Sequence, residues 1–337
     1  MSQLLETLRR RASALEATIA LPEAEDPRVL TAAVEAASSG LCRPLLVGSR
    51  SAILDAAETH GLTVEEPWIL DPETDPGRPA LIADFSRHLA ARGSKSDPEA
   101  LARNPLVYAN LLVRTGRAEG AVMGAVATTA DTLRAALRTV GVDPRFEVVT
   151  SFFLMILSDG RPLVYSDCGV LPAPTPSQLA DIAIQAAESY RVLVEEPPRV
   201  ALLSFSTLGS ASHPAADSVR QAVRILKERD HQTPLGFDFE GELQADAALV
   251  PEIAGRKAPG SAVAGRANVL VFPDLNSGNI AYKLTERLAG ARAIGPLLQG
   301  LAGPVHDLSR GCSADDILDT MAISALDAAR SRERRKA

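Results

Sequence analysis

Two α/β domains with mostly parallel sheets are the fold class this sequence predicts, and three observations predict it. The 337 residues exceed a typical single core and suit two such domains. Short apolar strands alternate with amphipathic helices along most of the chain, the pattern of a parallel sheet covered on both faces. One hairpin signal, Ser158-Asp159-Gly160 between two apolar, β-rich runs, interrupts that alternation and sets a domain boundary just before it. Hydrophobic residues make up 46% and charged residues 23%, so a large buried core is expected.

In order along the chain, MSQLLETLRRRASALEATIA reads as an amphipathic helix with Leu4, Leu5, Leu8, Leu15 and Ile19 on one face. Asp26-Pro27, a cap followed by proline at the first helical position, predicts a helix start, with the end near Gly40. RPLLVGS predicts a strand, a helix follows from about Ser51, and PWILD predicts another short strand. Helical stretches cover Pro79 to Arg92 and Pro98 to Thr115. GAVMGA is a glycine-bounded buried strand, and TTADTLRAALRTV the helix after it. Beyond the hairpin come helix Thr175 to Val192, strand RVALLSFS, helix Ala215 to Arg229 and strand LGFDFEGEL. Helix Gln244 to Gly255, strand NVLVFPD, helix Asn276 to Ala289 and the short strand AIGPLLQGL follow, and PVHDLSRG leads into a last helix, Ser313 to Arg330.

The formal net charge is −7, from 35 basic and 42 acidic residues, and no dense basic run interrupts the body of the chain, which argues against nucleic acid as a partner. Three scattered cysteines, Cys42, Cys168 and Cys312, make neither a disulfide framework nor a zinc cluster, and the five histidines form no metal-ligand spacing. No metal is expected. The N-terminus lacks the apolar core of a signal peptide, and nowhere do eighteen apolar residues run together. A cytoplasmic protein is expected, with no membrane association. There is no GxxxxGK[ST], no GxGxxG opening a strand-to-helix turn and no GxSxG.

Three stretches remain. In GAVATTADTLR, Thr128 and Thr129 sit where a helix begins, with backbone N–H groups and hydroxyls suited to an anion, and Arg134 adds a planar fork; the plainer reading is a threonine cap and a surface arginine. In FPDLNSGNIAYKL, Asp274, Asn276, Ser277 and Asn279 follow a strand directly, with Tyr282 and Lys283 on the next turns; the alternative is a capped turn and a snorkelling lysine. In DLSRGCSADD, Ser313 and Asp316 fit a capping box with aspartate in place of glutamate, which leaves Ser309, Arg310 and Gly311 unexplained. Arginine beside glycine just ahead of a helix suits an oxyanion, and a carboxylate one turn away can accept a proton.

Together these stretches resemble the phosphate acetyltransferases, within the wider phosphate acetyl/butyryl transferase family. The matching segments are GAVATTADTLRAAL, VYSDCGVLPAPTPSQLADIAI and the run from FEGELQADAALV through AVAGRANVLVFPDLNSGNIAYKLTERLAGARAIGPLLQGLAGPVHDLSRGCSADDI. They cover most of the chain from about Asn104 onward, while residues before Arg92 match loosely. The resemblance implies reversible acyl transfer between acetyl-CoA and phosphate, giving acetyl phosphate and CoA, by direct transfer in a ternary complex. It implies Asp316 as the base for the CoA thiol, Ser309 as hydrogen-bond donor to the charge developing on the acyl oxygen, and Arg310 as the phosphate holder. Arg134 is a further anion or CoA contact, and Thr128, Thr129, Asn279, Tyr282 and Lys283 are weaker ones. Coenzyme A enters as a substrate, with no tightly bound cofactor.

The fold implied is the isocitrate/isopropylmalate dehydrogenase-like pair of three-layer α/β/α domains, forming a homodimer, with the active site in the interdomain cleft. The boundaries expected are residues 1–147 plus 304–337 for a discontinuous first domain and 148–303 for the second. The sequence departs from the family's pattern at Ala127, often histidine, and Ala135, often proline; the early arginine of the family falls at Arg87 or Arg92. A transferase preferring a longer acyl chain is the rival among enzymes. A silent acetyl-CoA-sensing domain is the rival outside them, though the chain keeps all three site residues. A covalent route through Cys312 is weighed against a buried structural thiol.

Overall fold

The computed structural model describes residues 2–336, and the chain divides into two compact units. The first takes residues 3–143 and resumes at Leu301; the second is Pro144–Gly300.

In chain order the first unit opens with α1 (Gln3–Ser13), β1 (Thr18–Leu21), α2 (Pro27–Ser38), β2 (Arg43–Val47), α3 (Arg50–Thr59), β3 (Ile69–Leu70), α4 (Arg78–Ala91), α5 (Pro98–Ala102), α6 (Pro105–Arg114), β4 (Gly120–Met123) and α7 (Thr129–Thr139). The second unit holds β5 (Thr150–Ile156), β6 (Pro162–Ser166), α8 (Pro176–Val194), β7 (Arg199–Leu203), α9 (Pro214–Gln232), β8 (Asp238–Leu243), α10 (Ala245–Leu249), α11 (Pro251–Lys257), β9 (Val269–Val271), α12 (Leu275–Ala289) and β10 (Arg292–Gln299). The chain then returns to the first unit with β11 (Val305–Asp307) and α13 (Ala314–Lys336). No helix among the described residues is long and apolar enough to cross a membrane.

The first unit's sheet runs β11-β4-β1-β2-β3, with every pairing parallel. Its strand order reverses between β1 and β4, so their carboxyl ends flank the crevice where open α/β sheets bind ligands. Phe85, Tyr108, Leu111, Met123 and Ala136 share one core, built by α4, α6 and α7 against β4. α13 packs on α1 and α2 and against β4, and Ile317, Met321 and Ile323 along it are buried. The second unit's sheet runs β10-β5-β6-β9-β7-β8. β5 pairs antiparallel with β6 and β10, forming the expected hairpin, and the other pairings are parallel.

Three expectations are corrected. The N-terminal segment is a helix followed by a strand: Ile19 lies in β1, buried, and Glu16 turns the chain with φ 47°. Four residues are too few for a period of two to show, and neighbours on both sides, β2 and β4, stabilise the strand. The stretch from Pro98 to Thr115 is two helices, because Pro105 occupies the first position of a new helix that Asn104 caps through the Leu106 N–H at 2.9 Å. Pro251 likewise splits Gln244 to Gly255 into α10 and α11.

Candidate active site

Three segments leave the carboxyl ends of neighbouring strands in the first unit: residues 22–26 after β1, 124–128 after β4 and 308–313 after β11. Backbone register aligns Asp307 with Met123 across β11 and β4, so the last two segments start level with each other.

The segment after β4 is tightly held. Glu23 lays its carboxylate along four successive backbone N–H groups: Gly124 and Ala125 donate to Oε2 at 2.8 and 2.7 Å, Val126 and Ala127 to Oε1 at 3.1 and 2.6 Å. Such a run of N–H groups is an anion cradle, and here the chain fills it itself. Thr128 caps α7, its Oγ1 accepting from the Asp131 N–H at 3.2 Å and donating to Asp131 Oδ2 at 2.8 Å. Arg134 pairs with Asp131 at 2.6 Å on the exposed face. The threonine cap and surface arginine are therefore what the geometry of this stretch shows.

Gly124 has φ +103°, and a Cβ there would lie 2.3 Å from Asp307 Oδ1 and 2.7 Å from the Leu308 nitrogen. Only glycine fits so close beside the end of β11. Asp307 itself is buried, and burial pushes its carboxyl up to about 6. The hydroxyls of Thr129 and Thr132 and the Leu308 N–H oppose that rise, and the Glu23 charge adds to it. Among the described residues neither Asp307 oxygen reaches hydrogen-bond geometry with a partner, nor does the buried Thr132 hydroxyl.

The segment after β11 is open. Ser309, Arg310 and Gly311 are exposed, the Ser309 Oγ accepts from the Gly311 N–H at 3.3 Å, and the Arg310 guanidinium has no ion pair among the described residues. Asp316 lies one turn on: Ser313 donates to its Oδ2 from N–H at 2.9 Å and from Oγ at 2.8 Å, while the Asp316 N–H donates to Ser313 Oγ at 3.2 Å. The expected capping box is present, and it fixes the Asp316 carboxylate on Ser313, two residues past the Ser309–Gly311 turn. Cys312 is buried, and burial pushes its thiol up to about 11, so thiolate is scarce at neutral pH.

The polar cluster after β9 belongs to the second unit. Asp274 caps α12 through the Ser277 N–H at 2.8 Å, and Asn279 donates to the Cys168 carbonyl at 3.1 Å. Tyr282 stacks on Phe153 with centroids 3.9 Å apart, and the exposed Lys283 lies over the Tyr282 ring. Asn279 and Tyr282 thus do structural work within their own unit. No group of three or more histidine, cysteine or carboxylate side chains is placed to hold a metal among the described residues.

The model of the phosphate acetyl/butaryl transferase family matches residues 3–325. The chain belongs to that family. It is 45% identical over 329 residues to a phosphate acetyltransferase of Paracoccus denitrificans, covering 96% of this chain and 98% of that one. It is 43% identical to a phosphate acetyltransferase of Clostridium acetobutylicum, covering 97% and 99%. Among solved structures, a phosphotransacetylase from Streptococcus pyogenes superposes with a TM-score of 0.91 at 38% identity, over 98% of this chain and all of that one. A 4-hydroxythreonine-4-phosphate dehydrogenase from Burkholderia phymatum, 15% identical with a TM-score of 0.53, shares the fold alone. The dehydrogenase-like architecture expected from the sequence is thus found, and the phosphate acetyl/butaryl transferase fold includes the N-terminal residues that resembled the family loosely.

Sequence reasoning missed Glu23, Arg28, Gly124 and Asp307. The signal was present in LPEAEDPR, an acidic and basic run that follows β1 at once. It is hidden because Ile19 continues the apolar face of the preceding helical segment.

Proposed function

We propose that this chain transfers an acetyl group reversibly between coenzyme A and inorganic phosphate, directly within a ternary complex. The observation that carries the reading is the open turn at Ser309–Gly311, with an uncommitted guanidinium and a carboxylate held one turn away. Arg310 offers a planar fork to the phosphate group. Asp316 takes the thiol proton of CoA as sulfur attacks the carbonyl of acetyl phosphate. The C–S bond forms, the C–O bond to phosphate breaks, and phosphate leaves. Oxygen gains charge in between, and the Ser309 hydroxyl donates to it; one such donor typically contributes about 3 kcal/mol. Of the other residues the resemblance offers for CoA, the exposed Lys283 is the one we carry forward as a contact for its anionic parts; Arg134 and Thr128 are already paired with Asp131, and Asn279 and Tyr282 with Cys168 and Phe153. The arginine that completes the anion contacts is Arg87 or Arg92.

We place the reaction in the cytoplasm, where three free, buried cysteines stay reduced. We also propose a homodimer, for which α12 offers an exposed apolar ridge of Ile280, Leu284 and Leu288.

Thiol release from acetyl-CoA with and without phosphate tests the activity, and propionyl- and butyryl-CoA test the chain length. Asp316→Asn and Ser309→Ala should each lower kcat by about a hundredfold or more. Phosphate-independent thiol release, or full turnover in both variants, would refute the assignment.

A further inference from the structure

We infer that Arg28 is a positioning residue for the transfer step, acting through the turn that carries Ser309 and Arg310. This rests on the site proposed above. Arg28 stands at the second position of α2, behind Asp26 as cap and Pro27, so its backbone is mounted on a fixed helix end. Every N–H of its guanidinium is spent inside the protein. Nε donates to Asp26 Oδ1 at 3.0 Å, and Nη2 to Asp26 Oδ2 at 2.9 Å and to the Ala125 carbonyl at 2.7 Å. Nη1 donates to the carbonyls of Arg310 at 2.7 Å and Cys312 at 3.0 Å.

Those five bonds exclude substrate binding, since a guanidinium has five N–H donors and none is left over. They join the segments after β1, β4 and β11 at one point. The turn they hold closes on one backbone bond of its own, the Cys312 N–H donating to the Ser309 carbonyl at 2.9 Å, but little packs against it: among the described residues the nearest non-neighbouring atom to the place of a Cβ on Gly311 is the Ser309 Oγ, at 3.8 Å. Pinning the Arg310 carbonyl sets its peptide plane, and with it the direction of the Arg310 side chain and the place of the Ser309 hydroxyl. Arg28 thus holds the peptide of Arg310 while the Arg310 guanidinium stays free for phosphate. Lysine at position 28 cannot repeat this, because a compact ammonium with three donors has no planar fork.

The test is steady-state kinetics on the full chain, with melting temperature recorded for each variant. Arg28→Met should lower kcat by about thirtyfold or more while the KM for CoA stays within about threefold, the split expected when geometry rather than binding is lost. Arg28→Lys should recover little of that loss. In a Ser309→Ala background, Arg28→Met should cost clearly less than in the parent, by about threefold or more, because part of what it removes is the placing of the Ser309 hydroxyl and only the part acting through Arg310 is left. Asp26→Asn keeps a good helix cap yet loosens the guanidinium, so it should lower kcat by about fivefold even where Arg28→Met folds poorly. Turnover near the parent level in Arg28→Met, an equal loss in both backgrounds, or parent kcat in Asp26→Asn would each overturn the inference. If Ser309→Ala and Asp316→Asn themselves leave turnover unchanged, the site assignment fails, whatever Arg28 does.

Discussion

The segments after β4 and after β11 begin level with each other on adjacent strands, yet one is closed and the other open. Both present backbone N–H groups and a neighbouring arginine at a helix start, and from sequence they look equally fit for an anion. After β4 the N–H groups already receive Glu23, and Arg134 already pairs with Asp131. After β11 the backbone is held from behind through its carbonyls, which leaves the Arg310 guanidinium outward. A helix start becomes a binding site only when the chain has not used its donors for itself.

The largest effect that would break this contrast is Gly124→Ala. Its Cβ would strike Asp307 and Leu308 with the backbone in a left-handed conformation, so we expect more than about 3 kcal/mol of destabilisation by chemical denaturation. A variant as stable as the parent would show that the close approach of β4 and β11 is not required.

Asp307→Asn sharpens the comparison next. The folded carboxyl is raised to about 6, so the native state binds the proton more tightly than the unfolded chain. That contribution is fully present below the unfolded value near about 4 and is lost as pH rises through about 6. The asparagine variant should therefore gain on the order of 2–3 kcal/mol over the parent at pH 8, with the difference fading towards pH 4. Parallel denaturation curves at the two pH values decide it.

Glu23→Gln follows. An amide oxygen cannot serve all four N–H groups, and each unsatisfied one costs about 1 kcal/mol or more where water is excluded. We expect a loss of roughly 1–3 kcal/mol and faster amide exchange at Gly124–Ala127. Unchanged exchange there would mean the cradle holds its shape unaided. The smallest effect is expected from Cys312→Ala: with the thiol raised to about 11, turnover should stay within about threefold of the parent. Loss of most activity would bring the sulfur back into the chemistry.

Much of this was legible in the sequence for local reasons. Asp26-Pro27 and Thr175-Pro176 are cap-and-proline pairs at predicted helix starts, while the same pair at Asn104-Pro105 went unread inside one long helix. Ser158-Asp159-Gly160 closes a hairpin by its own turn chemistry, and Ser313 with Asp316 forms its box within one turn. β1 was illegible because four residues carry no period, and its strand character comes from β2 and β4 on either side. With it went Glu23 and Arg28, whose partners stand about a hundred and about 280 residues away.

The sequence by itself determined the alternation of elements, the hairpin, the caps, and the cluster Ser309, Arg310 and Asp316, because those depend on neighbours within a few positions. The tertiary structure decided which N–H groups and guanidinium groups are spent and which remain. Hydrogen-bond donors are satisfied by whatever the folded sheet brings within about 3 Å, and β1, β4 and β11 come together only when the chain has closed on itself.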